Sequence, residues 1–134
     1  MIVSDANLVA YYYLPGPFQP LAQKILEKDP VWFVPPILSS EFRNILLGFV
    51  RRKQFHKKDA VELAARIEIF FAPRIKSAGV AQVMDLACES GCSAYDAEYV
   101  ALAQMMSVKL VTADKYLLNA FPKVAVSLEN FSGA

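Results

Sequence analysis

The sequence has few of the residues that build zinc sites, disulfide frameworks and histidine-dependent active sites. It contains two cysteines, Cys88 and Cys92, and one histidine, His56. A structural zinc site usually has four cysteine or histidine ligands, which this set does not supply. We therefore expect reduced cysteines in or beside a helix. The single histidine also disfavours a nucleophile that is activated by histidine.

The chain also lacks a strong net charge and a long apolar run. Its net charge is +1, so a nucleic-acid substrate would need a local basic patch. Hydrophobic residues make up 55% of the 134 positions, but charges interrupt them every few residues, so no stretch predicts a membrane span. The apolar start is too short for a signal peptide, and we expect a cytoplasmic protein. The length predicts one domain, residues 1–134.

Short strand-like runs alternate with longer helix-like runs. Strands are predicted over 2–3, 31–34, 108–112 and 124–126, with a further short strand at 73–76. Helices are predicted over 6–14, 20–28, 37–53, 57–71, 80–89, 94–106 and 114–120. This alternation predicts an α/β fold, a three-layer α/β/α sandwich with a mainly parallel central sheet. Such sheets bind ligands outside the carboxyl ends of their strands.

Two of the predicted strands end in aspartate. Asp5 follows the run Ile2-Val3-Ser4, and Asp114 follows the run 109–113. If the two strands are parallel neighbours, the two carboxylates lie at the same edge of the sheet. Each aspartate also precedes a predicted helix, and an N-cap is the simpler interpretation for either one alone.

Two further acids lie near the starts of predicted helices. Glu41 has Leu38 three residues before it and Ile45 four residues after it, so it shares their apolar face, and Asp96 opens a helix of similar character. A carboxylate on an apolar face is usually paired or functional, because burying it alone is costly. The alternative is a solvated first-turn acid, which suits the helix dipole. Glu98 lies about 200° around the helix from Asp96 and is predicted to be solvated.

The four acids are more informative together than singly. Four carboxylates in one pocket raise one another's pKa unless a cation lies between them. Mg²⁺ or Mn²⁺ suits a site made of carboxylates alone. The chemistry that such a site serves is hydrolysis of a phosphodiester, because the metal makes water more acidic and stabilises charge on the phosphate oxygens.

Four segments together resemble the PIN-domain ribonucleases of the VapC toxin type. They are VSDAN at 3–7, SEFRN at 40–44, YDAEYVALA at 95–103 and LVTAD at 110–114. The resemblance covers nearly the whole chain. It rests on the order and spacing of the segments, since no one of them is specific alone.

The resemblance implies a metal-dependent endoribonuclease with a PIN-like fold. It implies an acidic quartet that binds Mg²⁺ or Mn²⁺ and cuts RNA, consisting of Asp5, Glu41, Asp96 and Asp114. Thr112 matches a hydroxyl residue that helps to order the site, and Asn7 stands where the family more often has Ser or Thr. The resemblance further implies a homodimer, and a cognate antitoxin that inserts a segment and blocks the site.

Other residues are weaker candidates for RNA contact. Arg43 and Lys115 lie nearest the predicted site in sequence and are the candidates for phosphate binding. The basic clusters 51–53 and 56–58 are predicted to be solvated surface rather than an RNA contact. The run at 11–13, three tyrosines, could stack on bases, although tyrosines on an amphipathic helix are more often core or interface.

Two other functions stay open at this point. A receiver-like or phosphatase-like phosphotransfer domain also gathers acids and Mg²⁺ at strand ends. However, Lys123 precedes its strand where a receiver has a lysine after one, and Asn7 stands where a haloacid-dehalogenase-like phosphatase has a second Asp. A non-catalytic binding module would use the same acids as caps and surface charges, and it would bind no divalent cation.

Overall fold

The computed structural model describes residues 1–133, which form four strands and eight α-helices. The strands are β1 (Ile2–Ser4), β2 (Trp32–Phe33), β3 (Lys109–Val111) and β4 (Ala125–Val126). The helices are α1 (Ala6–Tyr13), α2 (Gln19–Lys28), α3 (Leu38–Arg51), α4 (Lys57–Phe71), α5 (Val80–Ser90), α6 (Ala94–Met106), α7 (Lys115–Ala120) and α8 (Leu128–Ser132). The alternation of strands and helices predicted from the sequence is confirmed.

The four strands form one parallel sheet in the order β2-β1-β3-β4. In the middle of this sheet, Val3 of β1 pairs with Phe33 of β2 on one side and with Leu110 of β3 on the other. The chain therefore adds β2 on one side of β1, and then adds β3 and β4 on the other side. Open α/β sheets bind ligands where the strand order reverses in this way, which here is beside β1 and β3.

Helices cover both faces of the sheet. Successive side chains of a strand point to opposite faces, and Ile2 packs into a core with α1, α2, α3, α4 and α8, whereas Val3 packs into a second core with α6 and α7. On β3, Leu110 and Val111 divide in the same way between the two cores. The predicted α/β/α arrangement follows from this alternation.

Helix α3 buries one face on the core and leaves a second strip half-buried. Its buried positions Leu38, Phe42 and Leu46 recur every four residues and fix the helix on the core. Glu41 and Ile45, each one residue before a buried position, form a half-buried strip beside α1, against which α3 packs. This packing decides which side chains of α1 and α3 face one another.

Two parts of the sequence prediction need correction. The segment 73–76 is not a strand of the sheet: a short 3₁₀ turn occupies Ala72–Arg74, and Ile75 makes one isolated parallel bridge with Val34. Pro73 explains the difference, because it lacks the N–H that a ladder requires. Helix α8 was not predicted, since five residues are too few to show a helical period, although Ser127 caps it in the usual way.

The two cysteines lie on or beside helix α5. Cys88 lies on α5 and Cys92 follows it, and neither forms a disulfide within the described residues. No helix of residues 1–133 is both long enough and apolar enough to cross a membrane. The cytoplasmic location stays a prediction.

Candidate active site

An open cavity of about 390 Å³, which we call the acid cavity, lies where β1 and β3 end. Four segments each bring one acid to its wall. Asp5 caps α1 and Asp114 caps α7, while Glu41 and Asp96 lie in the first turns of α3 and α6. The four acids singled out in the sequence therefore share one cavity.

Asp5 is buried at the floor of this site, with 7% of its surface exposed. Its Oδ1 accepts a hydrogen bond from the Leu8 backbone N–H at 2.8 Å, so the helix-cap interpretation is correct for this oxygen. Its Oδ2 accepts from the Thr112 hydroxyl at 2.6 Å. Burial raises the pKa of Asp5 above its ordinary value, the charge of Asp114 adds to the increase, and the hydrogen bonds oppose it.

Thr112 connects two of the acids through one fully buried hydroxyl. Besides donating to Asp5, its Oγ1 accepts from the Asp114 backbone N–H at 3.0 Å. Asp114 is then held at its other end, because its Oδ1 accepts from the backbone N–H groups of Tyr116 and Leu117 at 2.8 and 3.2 Å. The ends of β1 and β3 are thus locked together at the site.

Glu41 is held by a tyrosine from the opposite layer. Its Oε1 accepts a hydrogen bond at 2.7 Å from the hydroxyl of Tyr99, which lies on α6 and is 3% exposed. Burial raises the pKa of Glu41, and the charges of Asp96 and Asp5 raise it further, against the effect of the Tyr99 bond. Burial and the adjacent Glu41 also raise the pKa of Tyr99, so its phenol stays a neutral donor.

Asp96 is held at the start of α6 by Ser93. Its backbone N–H donates to the hydroxyl of Ser93, the cap of α6, at 3.0 Å, and a hydrogen bond between the two side chains opposes the rise in the pKa of Asp96. Burial raises its pKa, and the charge of Asp114 adds to that effect. Glu98 does not line the acid cavity, as expected, but it is only partly exposed, and its charge contributes to the raised pKa of Glu41.

Burial is the main cause of the raised pKa values of Asp5, Glu41 and Asp96. Repulsion from the neighbouring acids, including Asp114, is a smaller cause that acts in the same direction. In their present positions, the His, Cys, Asp and Glu side chains of residues 1–133 form no group of three or more that could hold a metal ion. The acids share a cavity, and they would have to approach one another for three of them to contact one ion.

The model of the PIN domain family matches residues 2–125. The chain belongs to this family. The resemblance noted in the sequence is confirmed, and the receiver-like and phosphatase-like alternatives lose their support. This PIN domain is also 29% identical over 125 residues to Ribonuclease VapC3 of Pyrobaculum aerophilum, a match that covers 90% of this chain and 95% of that protein.

Solved structures share the fold of this PIN domain. The crystal structure of PAE2754 from Pyrobaculum aerophilum matches with a TM-score of 0.70 and 21% identity over 98% of this chain and 93% of that chain. The crystal structure of FitAcB from Neisseria gonorrhoeae matches with a TM-score of 0.69 and 21% identity over 96% and 98% of the two chains. Both likenesses support the three-layer α/β assignment.

The remaining candidates of this PIN domain fall in different places. Asn7 is exposed and lines the acid cavity. Lys115 follows Asp114 at the first position of α7 and is exposed, but it does not line the cavity. Arg43 faces a different groove and forms an ion pair with Glu68 of α4, so the structure gives no support to the predicted phosphate contact.

Sequence reasoning missed the part played by Tyr99. Tyr99 lies three residues after Asp96, on the same side of α6, and the sequence analysis gave it no role of its own. Its hydroxyl meets Glu41, which lies 58 residues earlier in the chain. The available signal was weak: a buried tyrosine hydroxyl usually has a hydrogen-bond partner, but the sequence does not say which one.

Proposed function

We propose that this PIN domain is a metal-dependent endoribonuclease, the toxin of a toxin–antitoxin pair, which hydrolyses RNA phosphodiester bonds with Mg²⁺ or Mn²⁺. The observation that carries the proposal is the convergence of four acids from four separate segments on one cavity. The similarity to a protein named Ribonuclease VapC3 supports RNA as the substrate class.

The residues present fit a hard divalent cation. Their donors are all carboxylate oxygens, which Mg²⁺ and Mn²⁺ prefer. Burial and then the charges of neighbouring acids raise the pKa of Asp5, Glu41 and Asp96, and a bound cation would oppose both effects. Asp5, Asp96 and Asp114 would hold the ion, and Glu41 completes the acidic set. A bound cation lowers the pKa of water and stabilises the charge that develops on the phosphate oxygens.

The chain itself contributes the orientation of these groups. Thr112 and the helix caps fix Asp5 and Asp114, while Tyr99 fixes Glu41 through Oε1. Within residues 1–133, Oε2 of Glu41 accepts no hydrogen bond. Oε2 is therefore the atom that we expect to orient the attacking water or to take its proton, for which a raised pKa is suitable.

The decisive experiment combines calorimetric titration with Mn²⁺ and cleavage of single-stranded RNA. Wild type should bind Mn²⁺ and cut RNA, and chelator should abolish cutting. Asp96→Asn should lose cleavage at least 100-fold with its fold intact, because asparagine keeps the size of the side chain and its oxygen can still accept from Ser93, whereas the negative charge is removed. Asp85→Asn is the matched control, since Asp85 is an exposed acid on α5.

Three results would contradict the proposal in different ways. Cleavage that persists in excess chelator would exclude metal dependence. Cleavage that survives Asp96→Asn would exclude this cavity as the site. Absence of both Mn²⁺ binding and cleavage would favour the non-catalytic binding module, in which the acids act as caps and surface charges.

The partner expectations belong to this proposal as well. A groove of about 500 Å³ between α3 and α4 is lined mainly by apolar side chains, of which Leu47 and Val61 are exposed, and an exposed apolar surface of this kind is typical of partner binding. Co-expression with the antitoxin, the product of an adjacent reading frame, should yield a complex that does not cut RNA.

The predicted homodimer has a separate test. Light scattering should give twice 14.9 kDa if the chain is a homodimer, and a monomer mass would contradict that prediction.

A further inference from the structure

A second cavity, of about 250 Å³, continues the acid cavity along the groove between α1 and α3. Asn7 and Ile45 line both cavities. Along α3, Glu41 lines the acid cavity and Phe49 the second one, two turns further on and about 12 Å away along the helix axis. A nucleic-acid strand with a phosphate among the acids therefore reaches the second cavity with a neighbouring nucleotide.

Two aromatic rings, Tyr11 and Phe18, line the second cavity and form what we call the aromatic platform. Their centroids are 4.8 Å apart with 32° between the ring planes. Phe18 is 45% exposed, so part of its ring is accessible to a ligand in the cavity. Burial and then the charge of Asp5 raise the pKa of Tyr11, so its hydroxyl lies within electrostatic reach of the acids.

The structure separates Tyr11 from the two tyrosines that follow it. The ring centroid of Tyr12 lies 6.0 Å from that of Trp32 and 4.8 Å from that of Tyr13. Both tyrosines line a different cavity, which Trp32 also lines. For Tyr12 and Tyr13 the packing interpretation is therefore correct. Tyr11 remains available beside the acids.

The segment that carries Phe18 is held firmly. The Phe18 carbonyl accepts from the Ala22 backbone N–H at 3.0 Å, and the Gln19 side-chain amide donates to the Tyr12 carbonyl at 3.1 Å, which ties the start of α2 to the end of α1. Pro15 precedes this segment and restricts its backbone. A rigid aromatic surface loses little entropy when a ligand stacks on it.

A cation lies beside the second cavity, next to Phe49. The guanidinium of Arg52 is 5.0 Å from the centroid of the Phe49 ring, which lines the cavity, and the Arg52 side chain is exposed. The groove thus runs from the acids past an aromatic surface to a positive charge. This order suits a strand whose phosphates alternate with flat bases.

We propose that the second cavity is a nucleobase-binding site, in which an unpaired base next to the scissile phosphate stacks on Phe18 of the aromatic platform. The proposal rests on the RNA-cleaving function proposed above and adds to it a site for one base of the strand. Stacking tolerates every base, because each has a π face. Asn7, Tyr11 and Gln19 place hydrogen-bonding groups at the cavity wall, where they can read the edge of that base.

The test uses an oligoribonucleotide that wild type cuts at one position, chosen from a pool of randomised single strands. Each nucleotide beside the cut is replaced in turn by an abasic ribose, and kcat/KM is measured. We expect one position at which loss of the base lowers kcat/KM by roughly 10- to 100-fold, the range for one stacked base. Phe18→Ala should cause a similar loss on the intact strand and no further loss on the abasic one.

Three variants separate stacking from packing. Phe18→Leu keeps an apolar side chain without a π face and should behave like Phe18→Ala, whereas Phe18→Tyr keeps the π face and should recover most of the activity that Phe18→Ala loses. Phe70→Ala is the matched control, because Phe70 is 44% exposed but lies on α4 away from both cavities. Unfolding temperatures close to that of wild type should show that the exposed ring is not needed for folding. A full rate with Phe18→Ala, or equal losses on intact and abasic strands, would overturn the proposal.

A binding measurement distinguishes failure of this site from failure of the nuclease function. Strands with 2-aminopurine at successive positions are mixed with Asp96→Asn, and quenching of the fluorescence reports stacking. Quenching at one position that Phe18→Ala removes supports the base site even if wild type cuts no RNA. RNA cleavage without such quenching leaves the nuclease function standing and contradicts the base site. A change in self-association alone would assign the platform to a protein contact and would also contradict it.

Discussion

Thr112 donates a hydrogen bond from Oγ1 to Oδ2 of Asp5 at 2.6 Å, across 107 residues of sequence. The same oxygen accepts from the Asp114 backbone N–H, so its proton is directed to Asp5. One buried hydroxyl thereby sets the position of two acids at the ends of neighbouring strands. Nothing else in the described structure bridges β1 and β3 at the cavity through a side chain.

Replacing Thr112 by valine should weaken both stability and metal binding. Thr112→Val keeps the shape of the side chain but leaves the Asp114 N–H and Asp5 Oδ2 without this partner, which costs about 1–3 kcal/mol of unfolding free energy in a buried site. Loss of the orienting bond should lower Mn²⁺ affinity about 10- to 100-fold. Thr112→Ser keeps the hydroxyl and should restore affinity. Calorimetry and chemical unfolding measure the two effects, and wild-type affinity in Thr112→Val would contradict the bridging role.

Removing the Tyr99 hydroxyl should slow cleavage without weakening RNA binding. Tyr99→Phe keeps the buried ring and removes only the donor to Glu41, so the carboxylate should lose its fixed orientation. We expect kcat to fall by roughly 10-fold with KM for RNA unchanged, and unfolding free energy to fall by about 1 kcal/mol. Tyr12→Phe removes a hydroxyl away from the acid cavity and serves as the control. An unchanged kcat would show that Glu41 needs no support from Tyr99.

The raised pKa of Glu41 predicts a stability that depends on pH. Because the folded state holds this proton more tightly than the unfolded chain does, the contribution of Glu41 is most favourable below its ordinary pKa of 4.5. It declines as the pH rises through the raised pKa of the folded state. Without metal, Glu41→Gln should therefore be more stable than wild type at pH 7.5, by roughly 0.5 kcal/mol for a half-exposed group, and the gain should shrink at pH 4.

Metal should reverse this order of stability. A ligand that binds only the folded state stabilises it in proportion to the logarithm of its concentration. Mn²⁺ should therefore raise the unfolding temperature of wild type more than that of Glu41→Gln, while Asp85→Asn should follow wild type throughout. Equal responses of wild type and Glu41→Gln to Mn²⁺ would exclude Glu41 from the metal site.

The four acids and Thr112 could be predicted from the sequence, but the support that Tyr99 gives to Glu41 could not. Asp5 and Asp114 could be placed because a strand end and a helix cap are local features, and both cap interpretations hold in the structure. Their convergence followed from one topological rule about parallel strands. The contact between Tyr99 and Glu41 depends instead on how α6 and α3 lie across the sheet, and no local pattern encodes that distance.

The aromatic platform shows the same limit. Three consecutive tyrosines look equivalent in sequence, yet α1 turns Tyr11 toward the second cavity and Tyr12 toward Trp32. Phe18 lies in a connection rather than in a periodic element, so hydrophobic spacing gave no prediction for it. The local periodicity predicted the helices and strands, whereas the partners of individual side chains depend on how those helices and strands pack together.

Arg43 offers a test of a contact predicted from proximity in sequence alone. It lies two residues after Glu41, but a helix turns its side chain by about 200° over that distance, toward α4 and Glu68. Because this pair is exposed, Arg43→Ala should change the unfolding free energy by no more than about 0.5 kcal/mol. RNA cleavage should stay at the wild-type rate at every salt concentration.

Lys115→Ala is the informative comparison, since Lys115 adjoins Asp114 and a phosphate contact there should appear as a weaker salt dependence of RNA binding. A loss of cleavage in Arg43→Ala, with Lys115→Ala unaffected, would show that Arg43 leaves Glu68 for the RNA.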